Sequence, residues 1–215
     1  MIFKEGSKDI KNAVNNAMHY CLYDYCKEKY GNQSVLIAEA ENHFSITYGN
    51  KKNSFNNGKI LFDSIPYGSP KASISKEMIF DFYKNEKTEF EIDTFLAFAA
   101  IKSIIQQSKY KKITNDYLIT RMSGNSKKSD LIPERMMKYK KRYQIDKIKK
   151  ELELNWGLKL YGYQMRGFYV SFTVPLLTLA VKAEVMKKKT KEKELQLKKN
   201  EARELALKQI NGTAP

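Results

Sequence analysis

Between Tyr143 and Phe172 the apolar period of this chain changes from that of a helix to that of a strand. In YQIDKIKKELELNW, Ile145, Ile148 and Leu152 fall at i, i+3 and i+7 and share one stripe. Tyr143, Asp146, Lys147 and Lys150 lie on the opposite face. After Gly157 the segment LKLYGYQMRGFYVSF alternates. Leu158 and Leu160, then Phe168, Val170 and Phe172, take one side, against Lys159, Tyr161, Tyr169 and Ser171 on the other. That is the period of strands with one buried face. Gln164 to Gly167 supply the turn, with Arg166 at its tip. An amphipathic helix followed by a hairpin is predicted, with Tyr169 and Ser171 facing solvent.

Charge is distributed as unevenly as hydropathy. The 215 residues carry a net +15, yet residues 1–90 hold 12 Lys and no Arg against 11 acids. Residues 91–215 hold 27 basic residues against 13 acids, and 102–150 alone holds 15 against 4. A field that concentrated attracts a polyanion such as DNA, RNA or an anionic membrane. The excess of Lys over Arg, 34 to 5, also fits simple solubility in a chain coded by an AT-rich genome.

Residues 1–88 read as a small α+β unit. A helix over 8–29 carries the stripe Ile10, Val14, Ala17, Cys21 and Tyr25, stopped by Gly31. SVLIAEA and HFSITYG follow as strands around a turn at Glu41 and Asn42, and KILFDSI as a third after the loop NKKNSFNNGK. PYGSP breaks the chain, and Ser73 or Ser75 caps a helix to about Asn85 that buries Met78, Ile79 and Phe82. The N-terminus lacks the apolar core of a signal peptide. The apolar run Phe168 to Val181, at about 14 residues, is shorter than a membrane span. A cytoplasmic, reducing location is expected, because Cys21 and Cys26 lie on different sides of one helix and suit no disulfide.

From Ile92 to Gln107 a strongly apolar helix places Phe98, Ile101 and Ile105 on one face, widened by Phe95 and Ile104. KYKKIT forms a short strand, and Thr114 or Asn115 caps a second helix, NDYLITRM, containing Arg121 and closed by Gly124. The link to the 143–154 helix is long. Pro133 suits the start of a helix in PERMMKYKK. An unbroken helix would carry Lys138 and Lys141 onto the stripe of Ile145 and Ile148, so it either breaks near Arg142 or projects as a basic arm. Both alternatives put Lys138, Lys140, Lys141 and Arg142 in solvent.

This order of elements over about 92–174, ending in a basic helix and a short hairpin, resembles the winged helix-turn-helix superfamily of DNA-binding domains. The resemblance implies a winged helix domain at 89–174, an overall α+β class and, after Pro175, a basic C-terminal helix over 175–215. It implies double-stranded DNA as partner, with Arg121, Lys138, Lys140, Lys141, Arg142, Tyr143, Gln144, Lys147, Lys150, Gln164 and Arg166 as the contacting residues. Regulation or replication initiation for a phage or mobile element would follow. The competing reading is a phage structural or assembly protein, located in the particle, whose basic surface packs on nucleic acid or an acidic partner. The thin apolar seam Leu195, Ala202 and Leu205 leaves a homodimer open.

No catalytic constellation emerges, and a non-enzymatic protein is expected. There is no GxxxxGK[ST] or GxGxxG run, two histidines do not make a zinc site, and His19 reads as a solvated surface residue. No metal, cofactor or small-molecule ligand is evident.

Overall fold

A computed structural model describes residues 10–29, 32–65, 67, 69, 71–126, 132–162 and 167–211. These residues are mostly helical, with one small antiparallel sheet. Two compact units result, one from residues up to Gln106 together with Asn115–Trp156, the other from Gln107–Thr114 together with the chain from Gly157 onward.

The first unit opens with α1 (Ile10–Lys27), α2 (Gln33–Phe44), α3 (Lys51–Ser64) and α4 (Lys76–Lys84). The α+β class expected for the chain, and for residues 1–88 in particular, is thereby corrected: SVLIAEA lies in α2, KILFDSI ends α3, and HFSITYG runs from the last two residues of α2 into the link before α3. The β-branched and bulky runs VLI and ILF misled, but the helical evidence lies beside them. Asn32 and Asn50 act as N-caps, their side chains accepting from the amides of Ser34 and Asn53. Leu36, Ile37, Ala40 and Phe44 recur at helical spacing and pack with Leu22, Cys26 and Tyr48. α1 packs closely on α3 through Gly58. A Cβ there would lie 2.1 Å from the His19 carbonyl oxygen and 2.8 Å from Tyr23 Cβ, so only glycine admits the approach. His19 is half-buried rather than solvated, and its Nδ1 has no hydrogen-bond partner. Ser75 caps α4, its Oγ accepting from the Met78 amide.

α5 (Glu89–Ile105) starts three residues earlier than its apolar pattern, because Thr88 and Glu91 form a capping box. α6 (Asn115–Met122) packs on it, and so does α8 (Arg142–Asn155) through the buried stripe Ile145, Ile148 and Leu152. Each such side chain contributes about 1.5–3 kcal/mol on burial. Trp156, just beyond α8, closes an aromatic cluster with Phe82, Phe95 and Phe98.

The second unit holds β1 (Lys111–Ile113), β2 (Lys159–Tyr161) and β3 (Phe168–Ser171) in the order β1-β3-β2, followed by α9 (Leu176–Asn211). Tyr169 pairs with Lys112 on one side and Tyr161 on the other. Every residue of β3 is buried, which corrects the expected solvent face at Tyr169 and Ser171. Leu179 and Ala183 of α9 pack on Tyr169 and Val174, flanked by Tyr110 and Tyr161. Ser171 Oγ donates to the Lys109 carbonyl at 2.7 Å and accepts from the amides of Thr173 and Val174, closing the turn into α9. Phe172, expected in the core, is only half-buried. A winged helix domain over 89–174 is likewise corrected. The strands cluster with α9, whereas α5, α6 and α8 cluster with the N-terminal helices.

Candidate nucleic-acid interface

Asp93, one turn into α5, is completely buried and organises the segment that precedes α8. Its carboxylate accepts from Arg135 of α7 (Glu134–Met137), from the Tyr139 hydroxyl and, at 3.0 Å, from Lys138 Nζ. Lys138 and Tyr139 belong to a 3-10 turn at Lys138–Lys140. Lys138 also bonds Glu89 at 2.7 Å. Burial opposes the charge on Lys138, but Glu89 and Asp93 outweigh it and raise the pKa. Burial, and then the hydrogen bond to Asp93, raise that of Tyr139 well above the usual phenol value. Lys138 is therefore half-buried and committed to two carboxylates. It is not the free cation expected from the sequence.

The helix breaks at Lys141, whose ψ of 120° is extended. α8 then begins with a lysine at its N-cap, no side-chain cap and no acid in its first turn. This is the reverse of what a helix start favours. The amides of Gln144 and Ile145 bond the Lys141 carbonyl, the N-cap side chain caps none of the first turn, and cations beside the positive end of the helix dipole are unfavourable by about 0.3–1 kcal/mol each. Lys140, Lys141, Arg142, Tyr143, Lys147 and Lys150 are all exposed there, while Gln144 is half-buried. Lys147 Nζ lies 4.6 Å above the Tyr143 ring, so Tyr143, Lys147 and Lys150 form one solvent stripe.

Asp146, expected to face outward, is engaged by Arg142 at 3.5 Å and Lys149 at 3.0 Å. Lys149 is buried, and that burial lowers its pKa although Asp146 opposes the change. The sequence reading missed it, yet the signal was present: residues 145, 148, 149 and 152 share the buried stripe, and Asp146 stands one turn before Lys149. Arg121 is half-buried. It donates to the Tyr117 hydroxyl at 2.6 Å and stacks over that ring, while its Nε and Nη1 have no hydrogen-bond partner. Gln164 and Arg166 lie outside the described residues.

The second unit carries cations absent from the expected set. Lys111 and Lys112 are exposed on β1, an edge strand, where lysines also discourage pairing with another sheet. Every residue of α9 from Glu184 to Gln209 is exposed, and seven of the thirteen from Lys187 to Lys199 are Lys. Among the described residues no group of three or more His, Cys, Asp or Glu could hold a metal ion, and no helix is long and apolar enough to cross a membrane.

The first unit thus presents a cationic, uncapped helix start held by a buried carboxylate. No family model, no curated protein and no solved structure matches the chain.

Proposed function

We propose that this chain is a non-enzymatic protein that binds double-stranded DNA through the start of α8. The observation that carries the reading is the N-terminus of α8, which has no side-chain cap and no acid in its first turn and which begins in the exposed cations Lys140, Lys141 and Arg142. Phosphate oxygens supply both the missing cap and the missing negative charge. Lys147 and Lys150 extend the cationic track along the same helix, and Tyr143 and Gln144 are the side chains we assign to base edges. Control of transcription or replication initiation for a phage or mobile element is the role we assign, by analogy with other proteins that read DNA with a basic helix.

Fluorescence anisotropy with the full chain and a duplex tests this. Five phosphate contacts predict a log–log salt slope of about −4.5. Replacing Lys140, Lys141 and Arg142 together by Gln should weaken the slope by roughly 0.9 for each lost contact. Absence of binding by the parent protein at about 50 mM salt overturns the proposal. If selected and random duplexes bind equally, the role is packaging or assembly rather than regulation.

A further inference from the structure

The helical unit contains a largely apolar pocket of about 270 Å³, half open to solvent and far from the start of α8 in sequence. Met18 of α1, Phe44 at the end of α2, Ile46 after it, and Ile79 and Phe80 of α4 are among the residues of its wall. Tyr48 adds a ring, but its hydroxyl is spent inward, donating to the Met18 carbonyl at 2.8 Å. Cys21 also lines the cavity and is reachable from solvent, whereas Cys26 is buried.

One full charge stands at this largely apolar wall, which also carries the imidazole of His43. Lys76 Nζ donates to the Ser45 carbonyl at 3.0 Å, which leaves two of its three N–H donors. The ion pairs described in this part of the unit join Lys27 and Lys71 to Asp24, Lys29 to Glu39, Lys51 to Glu41 and Lys87 to Asp81. Lys76 belongs to none of them. A cation with unused donors beside an empty apolar volume specifies an apolar body with one anionic end.

We propose that this cavity binds a small apolar carboxylate, its hydrocarbon body inside and its head group on Lys76. An apolar cavity of about 150 Å³ stays dry and accepts benzene, so the volume here takes roughly ten carbon atoms. Burial of the chain provides most of the affinity, and the ammonium selects a carboxylate over an alcohol of the same length. This binding is independent of the DNA-binding reading.

The test uses the full-length protein, decanoate as probe and decanol as its uncharged counterpart. Iodoacetamide labelling of Cys21 is followed by mass spectrometry at mildly alkaline pH. That pH is needed because desolvation, and after it Asp24, raise the thiol pKa. Decanoate should protect Cys21 saturably, at concentrations about tenfold or more below those of decanol, the worth of a charged hydrogen bond. Lys76→Met should abolish that preference and leave protection by decanol unchanged. Unaltered labelling of Cys21 in saturating decanoate overturns the proposal. So does equal protection by decanol in the parent protein, or a preference that survives Lys76→Met.

Discussion

Tyr169 shows how a single residue type can be misread when only one strand is in view. Alternation along β3 places it opposite Phe168 and Val170, and on a two-layer hairpin that side faces water. Here the same side receives Leu179 and Ala183 of α9, and Tyr169 is 7 % exposed. Its hydroxyl is held above the ordinary phenol range, first by burial and then by Tyr110 and Glu184. Tyr169→Ala should therefore destabilise the protein by about 3 kcal/mol or more, as a large core truncation does. Phe172→Ala, at a half-buried site beyond the strand, should cost clearly less. Denaturant unfolding of the two variants measures the difference, and the opposite ranking would mean that α9 does not cover the sheet. Gly58 is a second residue whose meaning was hidden. In sequence it sits in an Asn-rich stretch that reads as loop, whereas its use is to let two helices touch backbone to backbone.

Among the elements, α8 was the most legible, because its stripe is regular; of the two expected courses before it, a break near Arg142 or a projecting arm, the chain takes the break, at Lys141. α5 was legible for the same reason, apart from its first three residues. α2 and α3 were not, since short runs of β-branched residues look alike in a strand and in a buried helix. The cations leading into α8 could be listed from sequence, but their division into free and engaged could not. That division depends on Asp93, 42 residues before its partner Arg135. The apolar cavity was equally invisible, being assembled from α1, α2 and α4. Asp93 anchors α7 and the following turn to α5, so Asp93→Asn should cost about 3 kcal/mol, the usual penalty for breaking a buried charged pair. Because the variant leaves Lys140, Lys141 and Arg142 in place, any accompanying loss of DNA affinity would report their positioning. Chemical denaturation and anisotropy on the same preparation separate the two effects. Parent-like stability would show that the cluster contributes nothing to holding the turn.

At the scale of the whole molecule, tertiary contact is lost toward the C-terminus, along a last helix whose lysines are all exposed beyond Glu184. The last helix is 36 residues long, about 54 Å at 1.5 Å per residue. Only its first turns rest on the sheet, through Leu179, Ala183 and the bond from the Tyr161 hydroxyl to Glu184 at 3.1 Å. Beyond Glu184 the turns are supported by local interactions such as the bond from the Thr190 hydroxyl to the Met186 carbonyl. Isolated helix is marginal in water, and a segment of this kind opens without the rest of the fold opening with it. The cost of such opening is local, so cleavage there is governed by fraying rather than by global stability. Limited trypsin digestion should first remove peptides from the lysines between 187 and 199 and leave a resistant product ending in that interval. Initial cleavage before residue 176 would contradict this. Duplex DNA, if it lies along α9, should slow that first cut. The rate at which the C-terminal helix is trimmed would then report the length of chain that nucleic acid covers.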